Sequence, residues 1–133
     1  MTKIKKIKNK SQLIAIIIKS SFSKKGIKFL TPDDFSQQLA YMQRPKGYKI
    51  TPHVHKPVPR QVLYTRETLF IKSGRIKIDF YTEEKKYIKS TIVGAGDVVF
   101  IASGGHGFTM LEASEIIEVK QGPYPGEEDK ERF

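Results

Sequence analysis

Short extended segments separated by turn residues fill this chain from Gly26 onward. The segment from Arg75 to Phe80 shows the pattern most clearly, because Ile76, Ile78 and Phe80 alternate with polar residues. Successive side chains of a strand point to opposite faces of a sheet, so this alternation predicts one apolar face and one solvated face. Such segments recur about every 8 to 12 residues, a spacing typical of an all-β sandwich or barrel.

We predict roughly ten short strands from this pattern. Nine of them follow Gly26, at residues 27–30, 35–42, 48–55, 62–71, 75–80, 87–93, 98–101, 108–111 and 116–120. The apolar stretch before Gly26, residues 11–20, fits either a helix capped by Ser11 or a strand, which its three consecutive isoleucines favour. A stretch this apolar should pack against its own domain or against a second subunit.

Length and charge limit how the chain is organised. A chain of 133 residues suits one hydrophobic core, so we expect a flexible basic arm at residues 1–10 and a single domain at residues 11–133. Nine of the 24 basic residues lie in residues 1–30, where no acidic residue occurs, and the rest of the chain is nearly neutral. The net charge of +10 therefore belongs to the N-terminal part, and without a nucleic-acid-reading module it does not favour a nucleic-acid partner.

The sequence lacks cysteine and lacks an apolar run long enough to span a membrane, and both absences limit the kinds of site and location to be expected. The chain has no cysteine, so a metal site would have to use nitrogen and oxygen ligands. The apolar run at residues 13–18 is too short to span a membrane, and no small-residue cleavage site of a signal peptide follows it. We therefore expect a cytoplasmic protein without a membrane partner.

The three histidines fall at two places in the chain. His53 and His55 are one residue apart in a predicted strand, where their side chains would lie on the same face about 6.5 to 7 Å apart. His106 follows two glycines about fifty residues later. Three imidazoles held on strands could bind one divalent metal ion through their neutral nitrogens.

The order of these residues resembles the two sequence motifs of the cupin superfamily. Five residues are similar to the first motif, in which a glutamate follows an H-x-H pair: Gly47, His53, His55, Glu67 and Gly74. The segment 96–106, which ends at His106, is similar to the second motif. The resemblance implies a cupin fold, a double-stranded β-helix or jelly-roll barrel, with a short N-terminal extension.

A metal site is the second implication of the resemblance. It would consist of three imidazoles and one carboxylate, from His53, His55, Glu67 and His106. Such a donor set is compatible with iron, manganese, zinc and nickel, so it does not identify the metal. Eleven residues separate His55 from Glu67, more than cupins usually have there, so we expect an enlarged hairpin. Gln61 in this hairpin is the alternative oxygen ligand.

The function implied by such a site is binding of a small polar or sugar-derived molecule, with or without its chemical transformation. No catalytic residue is assigned, because Tyr41, Tyr64 and Glu67 are candidate bases only by their proximity in the sequence. Arg60, Arg66 and Lys72 would suit an anionic ligand. A non-enzymatic ligand-binding or sensing module is the alternative.

The C-terminal sequence adds a setting for this function. Three runs, at residues 111–113, 117–124 and 129–133, are similar to small bacterial single-domain cupins that often occur near saccharide biosynthesis functions. Barrels of this kind commonly pair, so we expect a homodimer.

Overall fold

The computed structural model describes residues 3–133, and among these residues it contains strands but no helix. It has ten strands: β1 (Ile4–Asn9), β2 (Gln12–Ile18), β3 (Gly26–Phe29), β4 (Ala40–Gln43), β5 (Glu67–Ser73), β6 (Arg75–Tyr81), β7 (Tyr87–Gly94), β8 (Val98–Ile101), β9 (Gly105–Met110) and β10 (Glu115–Lys120). The predicted all-β class is confirmed. None of the described residues belongs to a helix long and apolar enough to cross a membrane.

The chain forms two compact units. The larger unit consists of Met1–Phe22 and Tyr64–Phe133, and the smaller unit consists of Ser23–Leu63. In the smaller unit, β3 and β4 form a two-stranded antiparallel sheet, and the residues from Arg44 to Leu63 have no regular structure.

Two antiparallel sheets make up the larger unit. Five strands are arranged in the order β1-β2-β8-β5-β10, and three are arranged in the order β7-β6-β9. Both sheets contribute to one apolar core, whose buried members include Ile14, Ile17, Leu69, Ile71, Ile76, Ile78, Phe80, Val93 and Val99. Over the described part of the chain the strands form separate sheets and do not close into a barrel.

The alternation that predicted β6 is confirmed. Ile76, Ile78 and Phe80 are fully buried, whereas Arg75 is exposed. Burying side chains of this size contributes about 1.5 to 3 kcal/mol each, so the three inward residues fix which face of β6 meets the core.

The N-terminal segment is an ordered strand pair, which differs from the flexible arm expected for residues 1–10. β1 pairs antiparallel with β2, and β2 places Ile14, Ala15 and Ile17 in the core. Lysines suit the edge strand β1 because charged side chains discourage pairing with another chain. Residues 1 and 2 of the expected arm lie outside the described residues. Because β2 packs within its own unit, it gives no reason to expect a second subunit there.

The stretch around the first two histidines also differs from expectation. Residues 48–55, predicted as a strand, have no regular structure. β4 (Ala40–Gln43) overlaps only the last three residues of the predicted strand 35–42. Proline has no N–H to donate to a neighbouring strand, and four prolines interrupt this part of the chain. They are Pro45, Pro52, Pro57 and Pro59.

Candidate functional site

Glu67 and His106 meet at one end of the larger unit. Glu67 is the first residue of β5 and His106 lies in β9, so the two side chains come from different sheets. The Nε2 atom of His106 is 3.8 Å from Oε1 of Glu67. Only 12% of the Glu67 side chain and 26% of the His106 side chain are exposed. Two of the four predicted ligands therefore lie together at the inner side of the sheets.

A second glutamate, Glu118, lies beside Glu67 and His106. The sequence did not predict it as a site residue. In the pairing of β10 with β5, Glu118 is opposite Leu69 and Lys120 is opposite Glu67. Residues opposite each other in a strand pair share a face, so Glu118 and Lys120 lie on the face of Glu67. The one signal of Glu118 in the sequence is its spacing of two residues from Ile116, which puts both residues on the same face of a strand. Ile116 is partly buried against the core.

The pKa of Glu67 is raised to about 7. Burial is the largest cause, followed by a hydrogen bond between its carboxyl group and that of Glu118 and by the negative charge of Glu118. The positive charges of Lys120 and Lys130 act in the opposite direction. At pH 7 the Glu67 carboxyl group is therefore populated in both its protonated and its ionised form.

His106 is held in the neutral form by its surroundings. Burial lowers the pKa of its imidazole, while the charge of Glu118 raises it and that of Lys130 lowers it. Its Nδ1 atom is buried and has no hydrogen-bond partner within residues 3–133. The ring lies 5.5 Å from that of Phe108, measured between centroids. A neutral imidazole with an unbonded ring nitrogen is able to bind a metal ion or a polar ligand.

His53 and His55 lie in the smaller unit, in the stretch without regular structure. Both are exposed, and their rings are 5.3 Å apart and nearly perpendicular. The Nδ1 atom of His53 is 2.8 Å from the backbone oxygen of Thr51, a hydrogen-bond distance. Gln61, the alternative oxygen ligand, is also exposed in this unit. The four predicted ligands thus form two pairs, one in each unit.

The Glu67–His106 pair suits two ligands of one divalent metal ion. Bonds from such an ion to imidazole nitrogen or carboxylate oxygen are about 2.0 to 2.2 Å long, so donor atoms up to about 4.2 Å apart can share it. The observed separation of 3.8 Å is within this limit and is too long for a hydrogen bond. Across residues 3–133, no group of three or more His, Cys, Asp or Glu side chains is placed to hold a metal ion.

Comparisons with known proteins do not extend these observations. No family model, no curated protein and no solved structure matches the chain. We therefore interpret the site from the geometry and chemistry of its own residues.

The raised pKa of Glu67 predicts how the stability of the metal-free protein depends on pH. A carboxyl group with a folded-state pKa near 7 and an ordinary value of 4.5 binds more protons in the folded state between those two pH values. The free energy of unfolding should therefore fall as pH rises from about 4.5 to about 7, by about 2 kcal/mol from this group. Urea unfolding with a chelator present, at about pH 5 and about pH 8, measures the change.

Glu67→Gln is the matched variant for this prediction. It cannot ionise, so it should lack this part of the pH dependence and should exceed the wild type in stability at about pH 8. If the free energy of unfolding changes with pH in the same way in the wild type and in Glu67→Gln, the shifted pKa of Glu67 does not contribute to the pH dependence of stability.

Proposed function

We propose that this chain is a cupin-type protein that binds a divalent metal ion and, through it, a small polar molecule such as a sugar derivative. The observation that carries the proposal is the convergence of Glu67 and His106 from two sheets to a separation of 3.8 Å. These are the glutamate of the first sequence motif and the histidine of the second. Their meeting supports a reading of both motifs as parts of one site.

Glu67 and His106 are the proposed ligands that have geometric support, and His53 and His55 are added on the sequence motif alone. Iron, manganese, zinc and nickel all suit this donor set. When bound, such an ion could polarise a carbonyl group or lower the pKa of a bound water. The chain itself contributes the Glu67 carboxyl group, whose pKa of about 7 lets it hold or release a proton, and the nearby positive charges of Lys120 and Lys130. We propose binding rather than a particular reaction, because Glu67 cannot be both a metal ligand and a free base.

The setting in saccharide biosynthesis, the cytoplasmic location and the homodimer stay predictions. The mass of the full chain in solution, measured by light scattering after size-exclusion chromatography, tests the last of these. A mass near 15.2 kDa would contradict the homodimer.

Metal analysis of the purified full chain tests the proposed function. We expect about one divalent ion per chain after exposure to excess metal and dialysis. Glu67→Ala and His106→Ala should each weaken metal binding by about a hundredfold or more, because each removes a ligand atom. Elemental analysis and competition with a chelator of known affinity measure both quantities.

Two controls make this test specific. Glu84→Ala removes an exposed carboxylate on the β6–β7 turn and should leave metal binding unchanged. His53→Ala and His55→Ala test the two ligands that are proposed from the sequence motif alone. If both variants bind metal with wild-type affinity, His53 and His55 are not ligands. A wild-type protein without stoichiometric metal under metal-replete conditions would overturn the proposed function.

A further inference from the structure

The C-terminal segment, residues 121–133, begins with a 3.0 Å hydrogen bond from the backbone N–H of Gln121 to the backbone oxygen of Arg66, and it contacts the rest of the larger unit at further points. The Thr65 hydroxyl donates a 2.6 Å hydrogen bond to Asp129. Lys85, on the β6–β7 turn, forms an ion pair with Glu131. The ring of Phe133 meets that of Tyr81 edge to face, with centroids 5.0 Å apart. The segment therefore runs from the end of β10 to the far end of β6.

Two of these contacts, those of Thr65 and Phe133, border the Glu67–His106 pair. Thr65 precedes Glu67 by two residues, and Gly105, the neighbour of His106, lies under Phe133. A Cβ atom at Gly105 would be 2.8 Å from Cζ of Phe133, so the missing side chain leaves the space that the aromatic ring occupies. The segment consequently passes the end of the unit where both site residues lie.

Two lysines contribute positive charge at this end. Lys130 belongs to the C-terminal segment and follows Asp129, the residue that accepts the Thr65 hydrogen bond. Its positive charge lowers the pKa of Glu67, against the larger effect of burial, and lowers that of His106 in addition to burial. Lys120 is opposite Glu67 in the strand pair, and its Nζ atom is 4.0 Å from Glu118 and 5.8 Å from the ring centroid of Tyr124. The site is therefore flanked by one cation from β10 and one from the segment after it.

We propose that residues 121–133 form a strap that closes the Glu67–His106 site over a small anionic ligand, and that Lys120 and Lys130 recognise its phosphate or carboxylate group. The inference rests on the proposed function in one respect, that this end of the unit is the ligand site. A lysine ammonium group offers three hydrogen-bond donors and a full charge, which suits an anion and gives no preference for a neutral sugar.

The attachments of the strap are of a kind that can open and close. The Lys85–Glu131 pair is exposed, with 44% and 72% of the two side chains accessible, and exposed ion pairs contribute little stability. Phe133 remains 63% exposed although it contacts Tyr81. Each contact is weak by itself, so a ligand can enter while the strap is detached and be covered when it attaches.

Binding of inorganic phosphate and of malonate to the full chain, with glucose as the neutral comparison, tests the inference. We expect saturable changes in the amide signals of Gly105, His106 and Lys130 with phosphate, malonate or both, and none with glucose. Which anion binds more tightly distinguishes a phosphate-bearing from a carboxylate-bearing ligand. Lys130→Gln and Lys120→Gln should each raise the dissociation constant about tenfold.

Lys8→Gln is the matched control, because it removes the same charge from exposed β1, at the opposite edge of the five-stranded sheet from β10. It should bind the anion like the wild type. A chain that ends at Gln121 should lose at least as much affinity as Lys130→Gln, since it lacks the whole strap. The inference is overturned if neither anion causes saturable changes at Gly105 and His106, or if Lys130→Gln and Lys8→Gln bind equally well.

Metal content measured in the same samples separates this inference from the proposed function. A wild-type protein that holds stoichiometric metal but binds neither anion would overturn the inference and leave the metal proposal standing. Anion binding that depends on Lys130 in a protein without metal would support the inference and overturn the metal proposal.

Discussion

Replacing Asp97 by alanine is expected to lower the free energy of unfolding by about 3 to 5 kcal/mol. The Asp97 side chain is only 3% exposed, and its carboxylate accepts three hydrogen bonds. Its carboxylate lies 2.6 Å from Nζ of Lys19, 2.7 Å from the backbone N–H of Ser20 and 2.8 Å from that of Gly94. Alanine would leave two backbone donors without an acceptor and a cation without its partner.

The position of these contacts explains why the expected effect is large. Lys19 and Ser20 directly follow β2, and Gly94 ends β7, so one carboxylate joins the end of a strand from each sheet. Asp97→Asn should have a smaller effect, because its amide oxygen can still accept a backbone hydrogen bond but no longer carries the charge that pairs with Lys19.

Urea unfolding of the full chain measures both variants. Asp34→Ala, a substitution of the same type at an exposed position, should stay within about 0.5 kcal/mol of the wild type. A loss of less than about 1 kcal/mol in Asp97→Ala would show that the buried carboxylate is not a main support of the larger unit.

The strands that were predictable from sequence are of two kinds. Some have one apolar and one polar face, and others begin or end at a glycine in a turn. β6 was predicted because its inward residues alternate with polar ones, and the bounds of β8, Val98–Ile101, are those predicted. Gly74 and Gly96 have positive φ angles and stand at the turns before β6 and β8. In these places local sequence and tertiary packing favour the same structure.

Other features depend on partners far away in the sequence. The lysine-rich segment becomes β1 because β2 offers it a strand to pair with, and the alternation of Lys and Ile alone also fits a solvated end. Glu118 reaches Glu67 only through the register of β10 on β5, which no local pattern determines. Glu67 and His106 were singled out from the sequence because both positions resemble motif residues, and the structure places their side chains 3.8 Å apart.

Replacing Gly74 by alanine is expected to cost the larger unit about 3 to 5 kcal/mol, for two separable reasons. Gly74 has a φ angle of +92°, a conformation that residues with a side chain rarely adopt. A Cβ atom there would also lie 2.1 Å from Oγ of Ser114 and 2.6 Å from the backbone oxygen of Ala113. Because one of these neighbours is backbone, the β9–β10 turn would have to move.

Two further glycines separate the conformational effect from the steric one. Gly47 has a φ angle of +84° but no atom within 4 Å of its Cβ position, so Gly47→Ala should cost about 1 kcal/mol. Gly107, beside His106, has neither a positive φ angle nor a neighbour within 4 Å. Gly107→Ala should therefore be nearly neutral.

Unfolding free energies of the three variants test this order, with Gly74→Ala least stable and Gly107→Ala most stable. The displaced segment includes Ser114, whose hydroxyl oxygen accepts a 3.1 Å hydrogen bond from the backbone N–H of Arg75 at the start of β6. Similar losses for Gly74→Ala and Gly47→Ala would mean that the turn shifts without cost and that only the φ angle requires glycine. A much larger loss for Gly74→Ala would show that close contact between the β5–β6 and β9–β10 turns holds the two sheets in place.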